Sequence, residues 1–261
     1  MSTPEFDAVI LAGGRATRMG GADKPALLVG DDPMVVSVAR AAASAGAGRL
    51  IIVGPRRDGP VQEALAAVAA GAAAPGDRPP AAGARTGPVG ATSAGRGAGG
   101  LRMVREEPPG GGPVTALRAG LAEVTAPWLV LLAADLPFLR GSQLTGLLGL
   151  ALAAGRAGAL LADADGRPQW LAGGWQADGL RAALGSYGGS SLHGLLAPLD
   201  PVLMPVTGDG PDPAPWLDCD TPEELAAARL ARRLGGAGSG RTGSGGRRLA
   251  SGPEGEAIGE A

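Results

Sequence analysis

Short runs made wholly of apolar residues recur along the chain, and they constrain its fold more than any other feature: "AVIL" at Ala8–Leu11, "LIIV" at Leu50–Val53 and "WLVLLA" at Trp128–Ala133. Such a run has no polar side to offer water, so as a strand it must be covered on both faces. Further β-like runs fall near Leu101–Val104, Ala159–Ala162, Trp170–Leu171 and Val202–Val206. Between them lie helical patterns near Pro33–Ala45, Val61–Ala69, Val114–Glu123, Ser142–Ala153, Leu180–Leu184 and Ser191–Leu196. This alternation predicts a single α/β domain, doubly wound, with a mostly parallel sheet and helices on both faces.

Two segments break the rhythm. Residues 71–100 are Ala, Gly, Pro and little else, and are expected to form a flexible low-complexity insertion between a helix and the next strand. Residues 235–261, "GGAGSGRTGSGGRRLASGPEGEAIGEA", carry too little apolar surface to fold and are expected to be a disordered tail on a domain spanning 1–234. These two hold 19 of the 47 Gly; the 45% hydrophobic content still supplies one core. A formal net charge of -2 argues against a general nucleic-acid or membrane-surface binder, since both want a basic field. One cysteine, Cys219, excludes an internal disulfide and a cysteine-cluster metal site, and fits a reducing, cytoplasmic compartment. No signal peptide or membrane span is expected, because the most apolar run, "WLVLLAADLPFL", is broken by Asp135.

In an open α/β sheet ligands sit beyond the carboxyl ends of the strands. Chemistry-bearing residues follow a predicted strand three times, after Leu11, Val104 and Ala133. The first loop, "AGGRATRMGGADKPAL", sets Gly13 and Gly14 where bare N–H groups can approach a ligand, then adds Arg18 and Lys24 as cations. It is neither a P-loop nor a dinucleotide fingerprint, both of which need other spacings. A G-x-G-x-x-G does occur at Gly95, Gly97 and Gly100, but inside the low-complexity insertion and ahead of a strand, where it reads as accidental.

Asp135 closes the run "WLVLLAAD", and a carboxylate there should lie at the strand's open end, suited to a hard Mg²⁺ shared with substrate phosphates. "EEPPGGGPVTAL" is a second glycine turn, with Pro113 placed to begin a helix. In "DCDTPEEL", Thr221 and Glu224 form a capping box with Pro222 at the first helical position, which leaves Asp220 open between a second metal-side oxygen and a purely structural role. Cys219, between Asp218 and Asp220, is expected to be buried. His193 is the only histidine and has no evident orienting partner, so it reads as a helix-surface or packing residue rather than a catalyst.

Leu11-Ala12-Gly13-Gly14, Arg18-Met19-Gly20-Gly21 and Asp23-Lys24-Pro25 together resemble the signature of the nucleotidyltransferase superfamily. With "PPGGGPVTAL", "AADLPFL" and "DCDTPEEL" they resemble the molybdenum-cofactor guanylyltransferase family over roughly Phe6 to Leu230. The resemblance implies a Rossmann-like nucleotidyltransferase fold and transfer of GMP from GTP to the terminal phosphate of molybdopterin, with release of pyrophosphate. It implies Lys24, Arg18 and Asp135 as catalytic residues and Leu11, Ala12, Gly13, Gly14, Lys24, Glu107 and Asp135 around the nucleotide. Mg²⁺ is implied at Asp135, with Asp220 as a further candidate.

GTP and molybdopterin would then be the partners, with no nucleic acid or membrane, and with transient contact to enzymes of molybdenum-cofactor biosynthesis or to acceptor enzymes. Three positions depart from the family pattern: Glu107 where Asp is commoner, Gly54 where an asparagine can stand, and Pro168 ahead of Gln169 rather than behind it. Two alternatives stay open. One is the same fold acting with CTP or on a sugar or isoprenoid phosphate; the other is a non-catalytic nucleotide-binding protein that delivers the cofactor.

Overall fold

The computed structural model describes residues 3–13, 23–71, 100–206, 213–217, 219 and 221–238. Gly14, Arg18, Asp218 and Asp220, most of the predicted insertion (72–99) and the predicted tail from 239 onward lie outside the described residues.

In chain order the elements are β1 (Phe6–Leu11), a 3-10 turn (Lys24–Ala26), β2 (Leu28–Val29), β3 (Asp32–Pro33), α1 (Met34–Ser44), β4 (Leu50–Val53) and α2 (Pro60–Ala69). Then come β5 (Leu101–Val104), α3 (Pro113–Ala122), β6 (Trp128–Ala133), α4 (Gly141–Ala153), β7 (Gly158–Ala162) and β8 (Pro168–Gln176). Last are α5 (Ala177–Ser186), α6 (Leu192–Leu196), β9 (Val202–Pro205) and α7 (Pro222–Gly238). Seven strands form the central sheet in the order β5-β4-β1-β6-β8-β7-β9, and β2 and β3 make a separate small hairpin.

The apolar runs explain the layering. Alternate residues of β1, β4 and β6 point to opposite faces. Ala8, Ile10, Leu50, Ile52, Val130 and Leu132 pack with α1, α2 and α4 on one side. Val9, Leu11, Ile51, Val53, Leu129 and Leu131 pack with α3, α5 and α6 on the other. The α3 layer comes very close: a Cβ at Gly120 would stand 2.6 Å from a Val9 methyl and 2.8 Å from one of Val53. The α/β architecture with helices on both faces is as predicted. Among the described residues no helix is long and apolar enough to cross a membrane.

One strand departs from the parallel pattern. β8 runs antiparallel to both β6 and β7 and is longer than the run at Trp170–Leu171 suggests. Its reversal comes from the "DADGR" turn, where the Asp163 carboxylate accepts the N–H groups of Asp165 and Arg167 at 3.0 and 2.8 Å and Gly166 takes φ +76°. Because Leu132 pairs with Ala172, the start of β8 at Pro168–Leu171 reaches the same edge of the sheet as the end of β6. The antiparallel strand thus brings its N-terminal residues to the sheet edge where the parallel strands end.

The C-terminal helix begins as the sequence predicts. Thr221 N–H donates to a Glu224 carboxylate oxygen at 2.8 Å, and Glu224 N–H donates to Thr221 Oγ1 at 3.2 Å, a complete capping box. Leu225 and Ala228 of α7 close a third apolar cluster with Val29, Met34, Phe138 and the buried Cys219. Two arginines extend from the same helix: Arg229 Nε donates to Leu28 O at 3.0 Å and Arg232 Nη2 to Pro137 O at 2.9 Å.

Candidate active site

Strands β1, β4, β5 and β6 are mutually parallel, so their carboxyl ends share one edge, and a cleft of about 910 Å³ opens there. Leu11 and Gly13 form its floor, Arg105 and Glu106 one wall, Asp135 and Leu136 another, and Pro168–Ala172 of β8 closes it together with Leu192 and Trp216. Ala12 is buried behind this lining. Such an edge is where an α/β sheet can present backbone donors and loop side chains to one ligand.

Asp135 sits two residues beyond β6, at the open end foreseen for it. Lys24 comes from the 3-10 turn, where it is the first residue, and its Nζ donates to Asp135 Oδ2 at 2.6 Å. Their side chains are 11% and 24% exposed, sheltered enough that the charges are only partly screened. Lys24 reaches the cleft through this contact rather than as part of its lining. Two of the three predicted catalytic residues therefore meet, although 111 positions separate them. The third, Arg18, lies outside the described residues, as do Gly14 and Asp220.

Arg57, which the sequence reading did not single out, holds this corner together. Its guanidinium grips Asp23 with two bonds, Nε to Oδ2 at 2.6 Å and Nη2 to Oδ1 at 2.7 Å, and Nη2 also donates to Ala12 O at 2.7 Å. The side chain is 5% exposed, so these bonds replace the hydration a buried cation loses. One residue thus fastens the end of β1 to the residue preceding Lys24. The missed signal is positional: "GPRRDGP" directly follows β4, the neighbour of β1 in the sheet.

Gly54 explains a departure noted from sequence. It takes φ +153°, and a Cβ there would stand 2.7 Å from Ala12 C and 2.8 Å from Gly13 N. The exits of β1 and β4 approach too closely for an asparagine, so no side chain at this position can read a nucleobase.

The acid wall also differs from expectation. Glu107 is exposed and does not line the cleft, whereas Glu106 is buried in it. Glu106 Oε1 accepts Gly110 N–H at 3.2 Å, but its buried Oε2 has no hydrogen-bond partner among the described residues, and the carboxylate lies against Gly13. A buried carboxylate oxygen left unpaired is costly, which marks it as a group built to accept a bond from a ligand. The phase of the strand decides between the two acids: Val104 packs on the α3 face, and counting on by two reaches Glu106.

Pro113 begins α3 as predicted, behind Gly112 at φ +90°. His193 is exposed on α6 and meets Trp170 edge-to-face, ring centroids 5.0 Å apart, which is the packing role expected of it.

The sequence matches the MobA-like NTP transferase domain over residues 8–202. The chain belongs to that family. As a MobA-like NTP transferase domain it is a nucleotidyltransferase, and its fold is shared with solved structures of several such enzymes. A nucleotidyl transferase from Methanothermobacter thermautotroptrophicus is 20% identical, with 88% of this chain and 98% of that one covered and a TM-score of 0.62. Molybdopterin-guanine dinucleotide biosynthesis protein A from Archaeoglobus fulgidus is 16% identical, with 86% and 97% covered and a TM-score of 0.55. For 2-C-methyl-D-erythritol 4-phosphate cytidylyltransferase from Thermus thermophilus the values are 16%, 88%, 99% and 0.52. At such identities the likeness is one of fold. No curated protein matches the sequence.

Nucleotidyl transfer ordinarily draws on a divalent metal to balance phosphate charge. Among the described residues no group of three or more His, Cys, Asp or Glu side chains could hold an ion. Asp135 nevertheless offers a hard carboxylate at the cleft wall. One protein carboxylate completed by substrate phosphates and water suits Mg²⁺, which keeps much of its hydration, and would not suit a metal needing a full protein cage.

Proposed function

We propose that this nucleotidyltransferase transfers GMP from GTP to the terminal phosphate of molybdopterin, with Mg²⁺, releasing pyrophosphate. The observation that carries the reading is the Lys24–Asp135 pair at the mouth of the cleft. It combines a cation for the nucleotide phosphates with a hard carboxylate for the metal.

The chemistry asks little covalent participation of the protein. A phosphate oxygen of the acceptor attacks the α-phosphorus in line, the new P–O bond forms as the bond to the bridging oxygen breaks, and pyrophosphate departs with that electron pair. Lys24 neutralises charge on the phosphates undergoing transfer. Gly13 allows the nucleotide to approach the backbone, and the unpartnered Glu106 oxygen accepts a hydrogen bond from it. Bound Mg²⁺ would neutralise phosphate charge beside Asp135. Arg57 positions Lys24 by fixing Asp23.

The choice of GTP and a pterin is supported by the family resemblance and by Trp170 and Trp216, which both line the cleft and offer flat faces to heteroaromatic rings. The deciding experiment measures pyrophosphate release with Mg²⁺ and molybdopterin while GTP, CTP, ATP and UTP are supplied separately. Release with GTP alone is expected. Release with CTP alone would keep the mechanism and overturn the base assignment, and no release with any of the four would overturn the acceptor.

A further inference from the structure

A second cavity, of about 870 Å³, lies between α1, α4 and α7, on the sheet face opposite α3. Among the described residues it shares no lining residue with the cleft. Its lining among those residues includes three guanidinium groups, those of Arg40, Arg140 and Arg232, together with the carboxylate of Asp32.

These groups are held for more than solvation. Arg232 lies over the Phe138 ring, 5.3 Å from its centroid, and is fixed by its bond to Pro137 O. Arg40 meets Asp32 with a fork of two long bonds, 3.3 and 3.2 Å, between side chains 30% and 35% exposed. The pair is half-buried and uses only Nε and Nη2 of Arg40, so the guanidinium keeps further N–H donors to offer elsewhere. Ser37 also lines the cavity, 8% exposed, and its buried hydroxyl has no hydrogen-bond partner among the described residues. Native structures rarely leave such a hydroxyl unused.

Planar guanidinium groups recognise phosphate through paired N–H donors, and a phosphate monoester carries nearly two negative charges at neutral pH. The cavity is also of the size that takes a whole small molecule rather than a bare ion. We propose that the pocket between α1, α4 and α7 is a second ligand site, built for a small phosphorylated metabolite, with Arg40, Arg140 and Arg232 on the phosphate and Ser37 Oγ as a further polar contact.

Pyrophosphate is the probe for this site, titrated calorimetrically into the full chain and into the variants Lys24→Ala, Arg40→Gln, Arg140→Ala and Asp32→Asn. The expected result is a class of binding that survives Lys24→Ala and weakens by about tenfold or more with Arg40→Gln or Arg140→Ala. Asp32→Asn should tighten it several-fold, a change that damaged folding could not produce. Loss of all binding in Lys24→Ala would overturn the proposal, as would affinities indifferent to Arg40, Arg140 and Asp32.

Discussion

Lys24 and Asp135 show how a nucleotidyl-transfer site can rest on two side chains whose charges complement each other before any substrate arrives. Lys24→Ala removes a prepositioned cation and is expected to lower turnover by on the order of 10²–10³, checked by steady-state pyrophosphate release. The two adjacent acids make a sharper comparison. Glu106→Gln keeps the shape and the Gly110 contact region but removes the charge, so KM for the nucleotide should rise by about tenfold, whereas Glu107→Gln should leave it unchanged. An equal response of the two variants would take Glu106 out of the cleft's chemistry. From sequence alone the acids were indistinguishable, because which one turns inward depends on the strand phase carried over from Val104.

Among the elements, the strands were legible and their directions were not. Apolar runs such as "LIIV" can only be buried, which is why β1, β4 and β6 could be read almost to the residue. Nothing local in "PQWLAGGWQ" states that it runs backwards; the information sits in the Asp163–Gly166 turn, whose polar residues carry no strand pattern. Arg57 was hidden for a related reason. Its partner Asp23 is 34 residues away and becomes a neighbour only because β1 and β4 are adjacent and parallel. The same adjacency makes Gly54 a strict requirement. Gly54→Ala should destabilise the protein by about 1–3 kcal/mol, read from the denaturant midpoint, and should weaken nucleotide binding as the Ala12–Gly13 backbone is displaced.

For the molecule as a whole, α7 is the brace that spans the site. Through Arg229 it holds the strand that follows Lys24, and through Arg232 it holds the loop that follows Asp135. A chain ending at Thr221 should therefore melt at a lower temperature and lose turnover, while one ending at residue 238 should match the full chain in both measurements. An equal melting temperature for all three would show that the brace is not needed. The arrangement also bears on how the protein comes into being. Arg229 and Leu28 stand 201 positions apart, so this contact can form only after nearly the whole domain has been synthesised. On the ribosome the sheet can assemble while the reaction centre stays unbraced, and the brace closes only once α7 has left the exit tunnel.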